Sequence, residues 1–187
     1  EFRNTAIAVQ IGVTPLLYDA WYNRHKTTEQ MGGLHMICEY FPKDLHAILV
    51  ETPARVFPHR DVMRQQITSH LRKMADANLF CYDLKPSNMV FKDNPVDVRF
   101  IDFGRDFCEW RQYSPKNEFL ERAPVLSYIQ TLADQNADSK YKAEALYKDL
   151  MFAAMLILLS ANFGFTLDQS NTATRQGLAD NVVLNFM

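Results

Sequence analysis

The stretch Cys81–Gly104, CYDLKPSNMVFKDNPVDVRFIDFG, sets two aspartates, a lysine and an asparagine around a short apolar pattern. Asp83 and Asn88 stand five apart on a loop that Pro86 stiffens. Asn88–Phe91 and Val98–Ile101 read as two short strands, and KDNP between them reads as a turn. Pairing across that turn brings Asn88 beside Asp102, fourteen residues further on. One carboxylate, one amide oxygen and water make the hard-oxygen set that Mg²⁺ prefers. Lys85 supplies a point charge for a phosphate, and Asp83 a proton acceptor for an incoming hydroxyl. Gly104 lets the backbone turn where a side chain would block it. Each residue also has a plainer reading. Asp83 and Asn88 suit turns, Asp102 suits an Asx turn at a strand end, and Lys85 suits a solvated surface.

Working outward, residues 1–11 carry Phe2, Ala6 and Val9 at helical spacing, with Gly12 as the stop. Leu16–Tyr22 and Leu34–Phe41 read as strands joined by a polar connection that ends in Gly32-Gly33. Pro42 closes the second strand, and a short helix follows over Lys43–Val50. Arg60–Ala77 is a long amphipathic helix with Val62, Ile67, Leu71 and Met74 on one side. Asn78 after it suits a left-handed cap. Beyond Gly104 the chain is irregular and aromatic to Pro124, with helices expected near 125–134 and 143–161 and a polar tail from Asp168. Leu150–Leu167 holds no charged residue, which approaches membrane-spanning length. Ser160, Asn162, Gly164 and Thr166 crowd its second half, so the expectation is a helix buried at the centre of a lobe. The pattern is α+β: a small helix-plus-hairpin piece, a hinge near Glu39–Pro42, and a larger helical piece, with a ligand crevice between them.

Composition narrows the function. The 187 residues are 48% hydrophobic and 22% charged, with a net charge of −2. Basic residues form no stripe, so neither nucleic acid nor an anionic membrane is expected as a partner. The three cysteines, Cys38, Cys81 and Cys108, lack framework spacing, so a reducing, cytoplasmic setting without a disulfide scaffold is expected. Cys38 reads as a small buried hydrophobe. No signal-peptide pattern opens the chain. It begins without Met and in what reads as mid-helix, as a piece of a longer protein would.

The pair D-L-K-P-S-N at 83–88 and I-D-F-G at 101–104 resembles the catalytic and metal-binding loops of protein kinases. HMICEYFPKDLHAIL, 35–49, resembles the kinase hinge and the helix after it, and YKDLMFAAMLILL, 147–159, the central helix of the large lobe. EFRNTAIAVQIGVTPLLYDAWY, 1–22, resembles the regulatory helix and the following strand. The resemblance implies a protein-kinase-like fold, with a partial small lobe and hinge over 1–41 and the large lobe over 42–187. It implies ATP and Mg²⁺ as cofactors and phosphoryl transfer to a protein serine or threonine, the Lys-Pro after Asp83 being the serine/threonine pattern. It makes Asp83 and Lys85 catalytic, and Asn88 and Asp102 the metal ligands. Glu39, Tyr40, Phe41 and Val90 would surround the adenine, Cys38 would be the gatekeeper, and Glu1 would pair the ATP-orienting lysine. Asp149 would bond the catalytic-loop backbone.

The departures are specific. Cys81-Tyr82 stand where the family has His-Arg, so control by activation-loop phosphorylation is not expected. Ala-Pro-Glu is absent, with Arg122-Ala123-Pro124 a partial echo. None of the six glycines falls in G-x-G-x-x-G, and no strand lysine of the ATP-orienting type is evident. A longer parent is expected to supply both. The alternative is a degenerate kinase fold that serves as a binding or structural module in a larger assembly.

Overall fold

The computed structural model describes residues 2–24, 31–104, 108–114 and 124–168. Among the described residues the architecture is α+β, with five α-helices and three small antiparallel sheets. Helix α1 spans Phe2–Gln10, strand β1 Leu17–Arg24 and strand β2 Met31–Cys38. A two-residue β3, Lys43–Asp44, leads into α2, Leu45–Glu51. Asp44 caps α2 by accepting from the Ala47 N–H at 2.8 Å. Helix α3 runs Arg60–Asp76, followed by β4 Leu79–Cys81, β5 Met89–Asp93, β6 Val96–Phe100 and β7 Cys108–Trp110. Helices α4, Pro124–Asn136, and α5, Lys140–Asp168, complete the described chain.

The expected hairpin forms. Met89 lies opposite Phe100 and Asp93 opposite Val96, leaving Asn94-Pro95, a cis pair, as the two-residue turn. β3 extends this sheet on the β5 side. The outer edge of β6 is met by side chains of α3. Gln66 donates to Val96 O and accepts from Val98 N, both at 3.0 Å, as a third strand would. His70 Nε2 donates to Val98 O at 3.0 Å. Near the end of the strand Phe100 N donates to Val13 O. The inward residues Met89, Phe91, Val98 and Phe100 are all buried. Asn78 takes the left-handed conformation expected of a cap, φ 59°, and Gly12, at φ 70°, ends α1.

Four expectations need correction. First, α1 buries Asn4, Thr5 and Ala8, while Phe2 is exposed. Its inward face is polar because Asn4 serves backbone carbonyls, donating to Phe103 O at 3.3 Å and Cys108 O at 2.7 Å. Second, α5 buries one stripe rather than its whole surface. Tyr147, Met151, Met155, Leu159 and Phe163 recur every four residues against the core, while Ile157 is 70% exposed. α5 is long and apolar enough to cross a membrane by length and composition. Third, β4 and β7 pair antiparallel with Cys81 opposite Cys108, and the two sulfurs are bonded. Cysteine spacing gave no sign of this, because the 27-residue separation is closed by strands that periodicity does not reveal. Fourth, Cys38 is exposed rather than buried, since the β1–β2 sheet carrying it has only two strands.

Candidate active site

Two features meet beside the β5–β6 hairpin. The first is a cluster on the loop between β4 and β5. Asp83 Oδ2 accepts from Lys85 Nζ at 2.7 Å and from Asn88 Nδ2 at 2.9 Å. Asn88 Nδ2 also donates to Asp83 O at 2.9 Å. Pro86–Asn88 forms a single tight helical turn, and this brings residues five apart in sequence into contact. One carboxylate oxygen therefore takes both donors. Asp83 Oδ1 and the Asn88 side-chain oxygen are left for other partners.

The second feature is a cavity of about 330 Å³ between the small helix–hairpin piece and β5. Cys38, Glu39, Tyr40 and Phe41 line one side, and Val90, Asp102 and Phe103 the other, with Thr5 and Thr14 contributing. The lining does not include Asp83, Lys85 or Asn88. The two features join through the backbone, where Ile101 N donates to Asn88 O at 2.9 Å, one residue before Asp102. Asp102 itself sits at φ 63°, a left-handed conformation that costs a non-glycine residue energy and commonly marks a functional position. Its Oδ1 is 3.4 Å from Gly104 N, so the Asx-turn reading is also present in the geometry. Phe103, next in the chain, is buried and held by Asn4.

Among the described residues no group of three or more His, Cys, Asp or Glu is placed to hold a metal ion. Asn88 and Asp102 each carry one side-chain oxygen, so the pair could hold a hard cation only with most of its ligands supplied from elsewhere.

Around the hinge, Glu39 forms a link absent from the sequence reading. Its Oε1 accepts from Lys92 Nζ on β5 at 2.6 Å, and its Oε2 lies 3.4 Å from Leu16 N. The Lys92 hydrogen bond is the main reason the Glu39 carboxyl is held below its usual pKa. Lys92 also stands 4.0 Å from the centre of the Phe41 ring. The Glu39 N–H is committed to Leu16 O at 2.7 Å, so from that residue only the carbonyl remains for a ligand. Desolvation raises the Cys38 thiol pKa, which makes it a poor thiolate at neutral pH.

The implied role of Asp149 is not realised. Its carboxylate pairs with Arg72 of α3 on the surface. The backbone of the Asp83–Asn88 loop is held instead by Asn162, whose Nδ2 donates to Leu84 O at 2.6 Å. A lone amide within the charge-free run 150–167 was the available signal for this contact. Glu1 lies outside the described residues.

Comparison with known proteins agrees with part of this picture. Mitogen-activated protein kinase 13 of Arabidopsis thaliana is 33% identical over 76 residues, covering 41% of this chain and 21% of that kinase. Mitogen-activated protein kinase 4a of Physcomitrium patens is 31% identical over 81 residues, 43% of this chain and 21% of the relative. Mitogen-activated protein kinase homolog NTF6 of Nicotiana tabacum is 30% identical over 76 residues, 41% and 20% respectively. The chain thus spans about a fifth of the length of the curated relatives it matches. No family model matches it. These partial similarities suggest the protein-kinase-like superfamily.

Proposed function

We propose that the chain forms the catalytic half of a protein-kinase-like phosphotransferase, binding Mg²⁺-ATP and acting on a protein serine or threonine hydroxyl. The observation that carries this reading is the Asp83–Lys85–Asn88 cluster, joined by one backbone hydrogen bond to a cavity bearing Asp102. The backbone of Glu39–Phe41 and the Val90 side chain, which line the cavity, would meet the adenine. Asn88 and Asp102 would hold Mg²⁺, which when bound neutralises phosphate charge.

Asp83 has a defined task in this scheme. Its Oδ2 is fixed by Lys85 and Asn88, which orients Oδ1 to accept the hydroxyl proton as the substrate oxygen attacks. Lys85 then exchanges part of its contact with Asp83 for the transferring phosphoryl group. Positioning dominates such reactions, so the rigidity given by Asn162 on Leu84 and Asn4 on Phe103 belongs to the mechanism. Cys81-Tyr82, standing where protein kinases have His-Arg, favours a second reading, a degenerate kinase fold used as a binding module.

A thermal melt with Mg²⁺ and ATP separates the two. Ligand at a hundredfold over its Kd adds about 2.7 kcal/mol to a binder. The enzyme reading expects a Mg²⁺-dependent shift that is lost in Asp102→Asn, and transfer to a protein substrate that is lost in Asp83→Ala. A shift without transfer supports the binding module, and no shift at all removes the nucleotide from both.

A further inference from the structure

Nothing in the proposed chemistry calls for two cysteines, yet the chain sets a pair at the base of the site. Cys81 ends β4, two residues before Asp83, and Cys108 opens β7, six residues after Asp102. They face each other across the β4–β7 ladder with Cα atoms 4.1 Å apart and sulfurs bonded. The covalent ring so closed contains Asp83, Lys85, Asn88 and Asp102, the four residues to which the chemistry is assigned.

We propose that Cys81–Cys108 is a reversible thiol–disulfide site: closed, it fixes the catalytic loop against the strand that follows the metal loop; opened to two thiols, it loosens both and weakens Mg²⁺-ATP binding. The nucleotide part rests on the function proposed above. The redox part does not.

The bond is placed to be opened without unfolding the protein. The β4–β7 register has two further pairs, Leu79 with Trp110 and Phe80 with Glu109. Asn4 of α1 holds Cys108 O independently of the sulfur, and Arg111 N donates to Asn78 O just past the ladder. These backbone contacts keep the strands together in the dithiol state. The coupling to the site is short on both sides. Only Tyr82 separates Cys81 from Asp83, and Cys108 N donates to Gly104 O at 2.9 Å, two residues after Asp102. Both cysteines are buried, and the two residues differ in exposure. Cys81 is 6% exposed and Cys108 1%, so an incoming reagent meets Cys81 first.

The oxidant for closure is a low-molecular-weight disulfide such as oxidised glutathione. The Cys81 thiolate attacks one of its sulfurs, the small molecule's S–S bond breaks, and one glutathione thiolate leaves. The Cys108 thiolate then attacks Cys81 Sγ of the mixed disulfide, and the second glutathione leaves. The two cysteines lose two protons and two electrons, and two glutathione thiols carry them away. Two thiols reverse the sequence.

The test equilibrates the chain in glutathione buffers from fully oxidised to fully reduced, traps free thiols by alkylation, and assigns them by peptide mass. Hydrogen exchange over 82–104 and the thermal shift with Mg²⁺-ATP are read at both extremes. The expected result is graded conversion between two folded forms. The dithiol form should exchange faster over 82–104 and show a Mg²⁺-ATP shift at least halved. The double variant Cys81→Ser with Cys108→Ser, which can neither close the bond nor hold a glutathione at this pair, should behave as the dithiol form in every buffer. A bond that persists in the fully reduced buffer, a pair that never closes in the oxidised one, or exchange that is identical in both forms overturns the proposal. Redox-dependent exchange with no nucleotide shift in either form upholds the redox site and overturns the nucleotide reading, which separates the two failures.

Discussion

Two hairpins of this molecule share one secondary structure and differ in nearly everything else. In the β5–β6 hairpin the inward residues Met89, Phe91, Val98 and Phe100 are buried, and α3 completes the outer edge through Gln66 and His70. In the β1–β2 hairpin Tyr18 is 65% exposed, Trp21 42% and Ile37 49%, and no third strand joins among the described residues. An isolated two-stranded sheet is marginal in water, whereas one packed on a helix is not. The first hairpin is flanked by Asn88 and Asp102. The second carries the hinge. The difference sets a rigid base, with Asp102 just beyond its end, against a lightly held cover that runs into Glu39–Phe41.

The largest expected effect tests the base. Phe100→Ala removes a 2% exposed ring that meets His70 edge-on at 6.3 Å. A large-to-small change of this kind costs about 3–5 kcal/mol, measured as a shift in the denaturant midpoint. A cost near 1 kcal/mol would mean that the β5–β6 hairpin is no better anchored than β1–β2.

The next effect comes from His70, buried beneath that ring with Nδ1 unpartnered. Burial is the main cause of its pKa falling to about 4, with Arg99 and Lys73 lowering it and the Val98 hydrogen bond and Asp97 raising it. The unfolded chain titrates near 6.5, so between about 6.5 and 4 the unfolded state binds the extra proton. Stability from this group is complete above the upper value and is lost as pH falls through the window, by about 3 kcal/mol in all. Melts from pH 7.5 to 4 should show the decline, and His70→Gln, less stable at neutral pH, should show little of it. An equal slope in both proteins would place the acid sensitivity elsewhere.

The base was also the more legible half of the sequence. The apolar runs Asn88–Phe91 and Val98–Ile101, parted by the turn KDNP, read as the hairpin that forms, and its pairing carries Ile101 to Asn88. What was missed there was carried by single side chains acting on backbone. Gln66, Asn162 and Asn4 each replace a hydrogen bond that no periodicity encodes. β4 and β7 are three residues each, too short for an alternating pattern to register, and so the Cys81–Cys108 pair was missed with them. The cover misled in a different way. Apolar spacing on α1 points to Phe2, Ala6 and Val9, while the fold turns Asn4 and Thr5 inward, Asn4 to donate to the carbonyls of residues 103 and 108. The charge-free run 150–167 pointed to a helix buried all round, and the fold covers one stripe of it.

Asn162→Leu keeps the volume and removes the donor to Leu84 O. An unmet buried carbonyl costs about 1–3 kcal/mol, so a loss of about 2 is expected in the denaturant midpoint. If Asn162 also positions the loop, phosphoryl transfer should fall more than nucleotide binding does. Lys92→Met breaks the tie between base and hinge. The Glu39–Lys92 pair, each side chain 26% exposed, together with the Phe41 ring contact, is expected to give about 1 kcal/mol. Because the Glu39 carboxyl is depressed by Lys92, this contribution is present above the ordinary glutamate pKa and fades as pH falls through the lowered one. Wild type and Lys92→Met should therefore differ least in acid.

The smallest effect completes the comparison from the other hairpin. Trp21 lies opposite His35 in the β1–β2 register, and the rings stack at 5.4 Å with 10° between their planes. A cross-strand pair of this kind contributes about 0.2–1 kcal/mol, and a ring already 42% in water has little further burial to lose. Trp21→Ala should therefore lower stability by about 0.5 kcal/mol, against several for Phe100→Ala, although the lost ring is the larger. A global melt is too coarse for such a difference, and hydrogen exchange of the β1 and β2 amides resolves it as faster local opening with the β5–β6 amides unchanged. Equal acceleration in both hairpins would mean that they open as one unit and that the cover is not lightly held. Acceleration confined to β1–β2 would locate the opening motion on the Glu39–Phe41 side of the cavity, the side from which the proposed nucleotide would enter.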